Sequence, residues 1–453
     1  MSATLRPRPV PGLGCNAFGK EEEELVLDVL RRKEPFRYYG LNPQSPPPMV
    51  ATLEKEMREF IGVDYALAVS SGTAALEIAY AAIGLGPGDE VIVPAWSWVS
   101  CFTAIVRVGA RPVLCEIDDT LNFDPAEIDR LITPQTKAVA VIHYQGVAVE
   151  MDKIVHAAHR KGLFVVEDCA QSLGATYRGR QIGSWGDVAI FSFQYNKTAT
   201  CGEGGMVVTR DQRIYERAVR LHDLGNYRPF HAAIVTPKEP AFVGGQFRMS
   251  ELSAAVALAQ VRKIPAIKAH CRKLQSRVLT KITGLPGINL RRVPDPEGDF
   301  GFEIYLLFAD EAKVVPFQTK LNALNVNCGA RTGSYGQYNR DYVKSGLAHH
   351  PAVSPFKDFK EWPAPGYRAE DFPRSEALTK RWMALPIGWL YTEEDADYIS
   401  DCIVKVRARP WLSLGCRAGS LIPPYTWCGA PVRAAVSGSN KKRNPGRGCA
   451  WLG

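Results

Sequence analysis

The feature that most constrains the fold is an alternation of short apolar runs with helical patterns between residues 49 and 168. The pattern predicts strands at 65–70, 90–93, 111–116, 138–143 and 163–167, and helices at 74–83, 102–108 and 152–161. Strands that alternate with helices in this way build a mostly parallel sheet with helices on both faces. The sequence therefore predicts an α/β fold.

Two polar segments directly follow predicted strands. Ser71-Gly72-Thr73 lies between the strand at 65–70 and the next helix, and Asp168 follows the strand at 163–167. Ligands of parallel α/β sheets bind beyond the carboxyl ends of the strands. We therefore expect both segments to lie at a ligand site.

The patterns divide the chain into four parts. An irregular arm at 1–20 precedes a large domain at 21–265, whose last helix, Ser250 to Ile264, ends before Pro265. A smaller domain with helices and a few strands follows at 266–407. The remaining residues, 408–453, have no apolar periodicity, which is typical of a disordered extension or of GC-rich DNA translated in a wrong frame.

The positive charge of the chain is concentrated in this tail. The net charge is +8, but the residues from Ala408 onward contain seven Lys or Arg and no Asp or Glu, which leaves +1 for the rest. A nearly neutral body gives no reason to expect a nucleic-acid or membrane partner. No apolar run approaches the ~18 residues of a membrane-spanning helix. The 11 scattered cysteines, and an N-terminus without the pattern of a signal peptide, indicate a cytoplasmic protein.

A lysine stands between an apolar strand and a glycine-rich turn. Lys197 follows Phe191 to Asn196 and precedes Gly202, Gly204 and Gly205. A lysine that attacks a carbonyl must be partly desolvated, so that its amine is neutral and nucleophilic. An exposed loop lysine is the ordinary alternative, but these surroundings favour the nucleophile.

The residues near these strand ends match the needs of pyridoxal 5'-phosphate (PLP), which are a carboxylate at the ring nitrogen, phosphate donors, an aromatic wall and a contact for the ring hydroxyl. The candidates are Asp168 for the nitrogen, Gly72, Thr73 and Ser192 for the phosphate, Trp98 for the wall and Gln171 for the hydroxyl. Each has an ordinary alternative, since Ser, Thr and Asp also cap helices and Trp packs in cores.

In order and placement, these segments resemble the sugar aminotransferases of fold type I, the DegT/StrS group. The matching segments, within residues 15–407, are SSGTAAL (70–76), GDEVIVPAWSWVS (88–100), EDCAQSLGA (167–175), GDVAIFSFQYNKTATCGEGGMVVT (186–209) and FRMSELSAAVALAQ (247–260). The resemblance implies a large domain with a mostly parallel sheet, a smaller C-terminal α+β domain, and a homodimer. It also implies that Lys197 bonds the cofactor and that Asp168 holds its ring nitrogen.

Two departures from the family pattern concern recognition. The chain has Gln246 where relatives often have an Asn that reaches the phosphate in the neighbouring subunit. Because Gln keeps the amide donor of Asn, we expect Gln246 to bind that phosphate across the interface. It has Leu224-Gly225, with His222 nearby, where relatives often have a His-Gly pair. Sugar dehydratases of this fold have a histidine in place of the lysine, so Lys197 favours amino transfer. The alternatives to an aminotransferase are a PLP enzyme of another reaction type and a non-catalytic regulatory relative. A metal enzyme is not indicated, because the histidines show no spacing typical of metal ligands.

The resemblance also indicates the substrates. The donor it implies is glutamate or glutamine, and the acceptor is a keto-sugar that is either free or linked to a nucleotide. The segments 293–299 and 372–378 are most similar to the branch that acts on eight-carbon keto-sugars. The cyclitol and deoxyhexose branches stay open as alternatives.

Overall fold

A seven-stranded, mostly parallel sheet lies at the centre of the protein. The computed structural model describes residues 13–38, 47–330, 336–346, 354 and 367–408, which all belong to one compact unit. Of the predicted arm at 1–20, only the residues from Leu13 onward are described. The predicted tail at 408–453 lies outside the described residues except for Ala408.

The predicted strands and helices before residue 168 are all present, with ends that differ by one or two residues. The strands are β1 (Tyr65–Val69), β2 (Glu90–Pro94), β3 (Arg111–Cys115), β4 (Thr136–Ile142), β5 (Phe164–Asp168), β6 (Thr176–Tyr177), β7 (Arg180–Gln181), β8 (Val188–Ser192), β9 (Gly205–Thr209), β10 (Ile288–Leu290), β11 (Glu303–Phe308) and β12 (Trp382–Pro386). The α-helices are α1 (Lys20–Arg32), α2 (Met49–Ile61), α3 (Gly72–Ala82), α4 (Ser100–Arg107), α5 (Glu127–Leu131), α6 (Met151–His159), α7 (Gln212–His222), α8 (Pro229–Ile234), α9 (Glu251–Ile282), α10 (Val314–Ala323), α11 (Asp341–Ser345), α12 (Pro373–Thr379) and α13 (Glu393–Ala408).

The central sheet is covered on both faces. Its strand order is β1-β9-β8-β5-β4-β2-β3, and β9 pairs antiparallel with both of its neighbours while the other pairs are parallel. Along β1, Ala66 and Ala68 belong to one buried cluster and Leu67 and Val69 to the other. This alternation puts one apolar core on each side of the sheet, and the predicted α/β fold is confirmed.

Helix α9 is much longer than predicted. The expected end at Ile264 is wrong, because the helix continues through Pro265 to Ile282. Its second half carries the buried residues Ile267, Cys271, Leu274, Val278 and Ile282, whose spacing of three or four residues extends the apolar stripe. Burial of this stripe outweighs the ~3 kcal/mol that a proline costs inside a helix. The proposed domain boundary at residue 265 therefore lies within a helix, and the division into two domains stays a prediction.

The C-terminal half adds a small antiparallel sheet, β10-β11-β12. Strand β11 occupies the residues predicted for it, 303–308. Helix α13 packs along the second half of α9, where Arg277 pairs with Asp397 and Lys281 with Asp401. Among the described helices, none has the length and apolar character that a membrane crossing requires.

Candidate active site

Three strands of the central sheet bring the predicted residues to one edge. Asp168 is the last residue of β5 and Ser192 the last residue of the adjacent β8, and both are buried. Gly205, at the start of β9, pairs with both Ser192 and Val69, the last residue of β1. The turn from β1 into α3 therefore lies beside Ser192.

The start of α3 and the end of β8 form a cradle of the kind that holds phosphate. The Ser71 hydroxyl accepts a hydrogen bond from the Ala74 amide at 3.1 Å and caps the helix. The first amides of a helix have no partner within it and attract anions, and these are the amides of Gly72 and Thr73. A Cβ at Gly72 would lie 2.7 Å from Cβ of Ser192, so only glycine leaves the space between helix and strand open. The Thr73 hydroxyl lies 2.8 Å from that of Ser100.

Lys197 lies in the loop after β8 and is half-buried. Its amide donates to the Gln194 carbonyl at 2.9 Å, and its own carbonyl accepts from the Gly14 amide at 3.2 Å. Burial lowers the pKa of Lys197, although the negative charge of Asp168 opposes this shift. A lowered pKa increases the fraction of neutral amine, which is the form that attacks a carbonyl.

The carboxylate of Asp168 is fixed by two donors. Only 6% of this residue is exposed. Its Oδ1 accepts from the Ala170 amide at 2.9 Å, and its Oδ2 accepts from the Cys101 thiol at 2.8 Å. The segment after β5 is a turn rather than a helix, so Asp168 is not the cap of a following helix.

Gln171 and Trp98 present groups suited to an aromatic ring with a hydroxyl. The Gln171 side-chain amide donates weakly to the Ser97 hydroxyl at 3.5 Å, while its buried Oε1 has no hydrogen-bond partner in the described part of the chain. An unpaired buried acceptor is costly, so a hydroxyl donor from a ligand would satisfy it. Trp98 is 39% exposed, which leaves an indole face for a ring to stack on.

These residues fit PLP. The cradle at Gly72 suits a phosphate, Asp168 a protonated ring nitrogen, the orphaned oxygen of Gln171 a ring hydroxyl and Lys197 an aldehyde. The sequence patterns did not identify several groups that support the site, which are Gly14, Ser97, Ser100, Cys101 and Gln337. The side-chain amide of Gln337 donates to the Ser97 carbonyl at 2.6 Å. No local motif marks these contacts, because each joins segments far apart in the chain.

Gln246 lies beside the end of β1 but makes no hydrogen bond to this cluster within the described residues. Its backbone pairs with Asp223, and the next residue, Phe247, accepts a hydrogen bond from Ser70 at 2.8 Å. Gln246 itself is exposed. Among the described residues, no hydrogen bond joins it to Gly72, Thr73 or Ser192. Its contact with the phosphate site of another subunit stays a prediction.

His222 is occupied within a buried cluster of polar rings. The Tyr38 hydroxyl lies 3.2 Å from Nε2 of His222 and 3.1 Å from Nε2 of His231, whose Nδ1 lies 2.8 Å from the Tyr215 hydroxyl. Nδ1 of His222 bonds to the Val219 carbonyl. His222 is fully buried and thus does not take the place of the missing family histidine at Leu224.

A second buried cluster, His143, Glu167 and Cys169, contains residue types that bind metals. The lone pairs of its histidine and glutamate are already used in hydrogen bonds within the protein. His143 and Glu167 lie 3.0 Å apart beside Cys169. Nδ1 of His143 accepts from the Val149 amide, and Glu167 accepts from the amides of residues 183, 185 and 186. Because these lone pairs are already used, the cluster serves to fix the end of β5 next to Asp168.

Comparison with known proteins gives consistent matches. The model of the DegT/DnrJ/EryC1/StrS aminotransferase family matches residues 44–404. The spore coat polysaccharide biosynthesis protein SpsC of Bacillus subtilis is 33% identical over 397 residues, which cover 86% of this chain and 94% of that protein.

Solved structures share the fold. DesV of S. venezuelae, in complex with a ketimine intermediate, has a TM-score of 0.73 and 27% identity, covering 89% of this chain and 100% of that one. The E. coli GDP-4-keto-6-deoxy-D-mannose-3-dehydratase with bound hydrated PLP has a TM-score of 0.71 and 21% identity, covering 87% and 99%. At that identity the dehydratase shows a common fold and nothing about the reaction.

Proposed function

Because the chain belongs to the DegT/DnrJ/EryC1/StrS aminotransferase family, whose cofactor is PLP, we propose that it moves an amino group from an amino acid to a keto-sugar. When bound, the cofactor supplies an electron sink that stabilises negative charge on a substrate carbon. The amides of Gly72 and Thr73, with the Ser192 hydroxyl, hold its phosphate. Asp168 keeps its ring nitrogen protonated, Gln171 binds its hydroxyl and Trp98 packs on its face.

The observation that carries the proposal is a half-buried lysine with a lowered pKa at position 197. It is a lysine and not the histidine of related dehydratases, and its burial lowers its pKa. In the proposed reaction its Nζ takes a proton from the carbon that bears the transferred nitrogen and returns a proton to the acceptor carbon. A partly desolvated amine with a pKa below its ordinary value suits both directions of this transfer.

We propose further that the working unit is a homodimer with sites shared between subunits. Gln246 is exposed beside the end of β1, near the start of α3 that forms the phosphate cradle. Two exposed apolar side chains lie close to it, Val243 at 95% on the same segment and Leu224 at 57%, whose amide donates to the Gly245 carbonyl at 2.9 Å. In a two-fold dimer one such segment completes both sites at once.

The relatives support a proposal for the substrates. SpsC is a polysaccharide biosynthesis protein, which supports an acceptor that enters a polysaccharide, and the eight-carbon keto-sugars are our first candidates. Glutamate or glutamine is the proposed donor. We place the reaction in the cytoplasm, which agrees with the eight cysteines of the described residues being free thiols.

The test traces the amino nitrogen from the donor to the sugar product. The purified protein with PLP is given amino-¹⁵N glutamate or glutamine and a panel of eight-carbon, deoxyhexose and cyclitol ketones, and the products are analysed by mass spectrometry. We expect the ¹⁵N label in a sugar product with the parent and with Lys55→Ala, whose side chain is exposed, but not with Lys197→Ala. A product that has lost water and carries no label would identify a dehydratase instead.

A further inference from the structure

A thiol makes the one side-chain hydrogen bond to Asp168 among the residues that the structure describes. Cys101, near the start of α4, is buried and places its Sγ 2.8 Å from Oδ2 of Asp168. The other oxygen, Oδ1, receives only the backbone amide of Ala170. The thiol is therefore the protein group that holds Oδ2 of Asp168 in place.

The other buried cysteines nearby make no such contact. Cys115, at the end of β3, and Cys169, which follows Asp168 directly, are fully buried, and neither thiol makes a hydrogen bond within the described part of the protein. A cysteine that only fills space is typical of a protein core. Cys101 differs from these cysteines because its thiol donates a hydrogen bond to a carboxylate.

The thiol acts on Asp168 as a neutral donor. Burial, and next the negative charge of Asp168, raise the pKa of Cys101 well above its ordinary value, so the proton stays on sulfur. The nearby Tyr80 hydroxyl is fully buried and has no hydrogen-bond partner among the described residues. Asp168, Cys101 and Tyr80 are all buried, and in such a low-dielectric setting a hydrogen bond to a carboxylate counts for more than in solution.

Donors to a carboxylate stabilise its ionised form. If one proton is shared between a carboxylate and a pyridine nitrogen, each donor to the carboxylate moves that proton toward the nitrogen. From this geometry we propose that Cys101 is a positioning residue, which orients the carboxylate of Asp168 toward the cofactor ring nitrogen and so favours the protonated form of that nitrogen. The inference rests on the proposed role of Asp168 at that nitrogen.

The experiment compares three variants reconstituted with PLP labelled with ¹⁵N in its ring. Cys101→Ala removes the donor, Cys101→Ser keeps a hydroxyl donor, and Cys115→Ala removes a buried thiol that makes no hydrogen bond to the other described residues. We expect the ring-nitrogen resonance of Cys101→Ala, without substrate, to move toward that of neutral pyridine. Amino transfer should fall about 10-fold, as for the loss of one hydrogen bond to a charged group. Cys101→Ser and Cys115→Ala should keep the parent resonance.

A parent-like resonance in Cys101→Ala that retains PLP would overturn the proposal. Asp168→Asn separates this failure from that of the underlying role, because an unchanged resonance in Asp168→Asn would mean that Asp168 does not hold the nitrogen at all. If Cys101→Ala does not fold, the S–H stretching band of Cys101 in the apoprotein decides. It should be assigned by difference with Cys101→Ser, and it should rise in frequency in Asp168→Asn, where the acceptor is weaker. An unmoved band would contradict the proposal.

Discussion

The amide of Gly14, in the segment before α1, donates a hydrogen bond to the carbonyl of Lys197 at 3.2 Å. A Cβ at position 14 would lie 2.8 Å from that carbonyl oxygen and 3.0 Å from the Thr200 amide. The backbone of Gly14 is right-handed, with φ −63°, so the position requires space and not a conformation reserved for glycine. The N-terminal segment thereby supports the loop that carries the lysine.

Gly14→Ala should displace the Lys197 loop by a few tenths of an ångström, because the added carbon has no room. We expect a loss of about 1–3 kcal/mol in the free energy of unfolding, the usual cost of overpacking, together with weaker PLP retention. Denaturant unfolding and PLP titration measure the two effects. Gly19→Ala is the control, since nothing lies within 4 Å of a Cβ there. Equal PLP affinity in both variants would show that the contact does not position Lys197.

Asp168→Asn keeps the shape of the side chain and removes its charge. We expect amino transfer to fall by about 10²-fold or more, comparable to the loss of a strong electrostatic contact in catalysis. Single-turnover measurement of ¹⁵N transfer at saturating PLP isolates the chemical step from cofactor loss. Rates close to those of the parent would remove Asp168 from the proposed mechanism.

The cluster around Tyr38 predicts how stability depends on pH. Burial, and next the positive charge of Arg37, lower the pKa of His222 to about 3 and lower that of His231 as well. The unfolded chain takes up protons on these imidazoles near pH 6.5, while the folded protein does not. The free energy of unfolding should therefore decrease as the pH falls from 6.5 toward 3.

Replacement of His222 should reduce this pH dependence. His222→Gln is expected to be less stable than the parent at pH 7, because it loses packing and hydrogen bonds, but to lose less stability on acidification. Urea unfolding between pH 4 and pH 7 gives both values. His156→Gln, at an exposed position, controls for the loss of a histidine. A slope equal to that of the parent in His222→Gln would mean that this imidazole is not held neutral by the fold.

Gln246→Ala tests the shared site. If the amide reaches the phosphate in the partner subunit, its loss should weaken PLP binding by roughly 1–3 kcal/mol, the range for an unpaired polar partner, and sedimentation should still show a dimer. Gln135→Ala, at an exposed glutamine directly before β4, is the matched control. A fully active monomer of the parent would refute the shared-site proposal.

The sequence was sufficient to predict elements whose signals are local. The order of strands and helices before residue 168 and the position of Asp168 at a strand end both follow from short patterns. The end of α9 was predicted wrongly, because the rule that proline ends helices acts locally while the burial of Ile267 to Ile282 depends on the whole fold. The contacts of Gly14 with Lys197 and of Cys101 with Asp168 carry no local signal, since they form only when distant segments meet.

The central claim is that Lys197 holds PLP at the edge of the sheet, and its most direct test is chemical. The protein with PLP is reduced with borohydride, which fixes the cofactor to any amine it is bonded to, and is then digested and mapped by mass spectrometry. We predict that the cofactor mass is found on the peptide containing Lys197, and that Lys197→Ala binds PLP without any fixed label. Label on another lysine, or equal labelling of Lys197→Ala, would contradict the account.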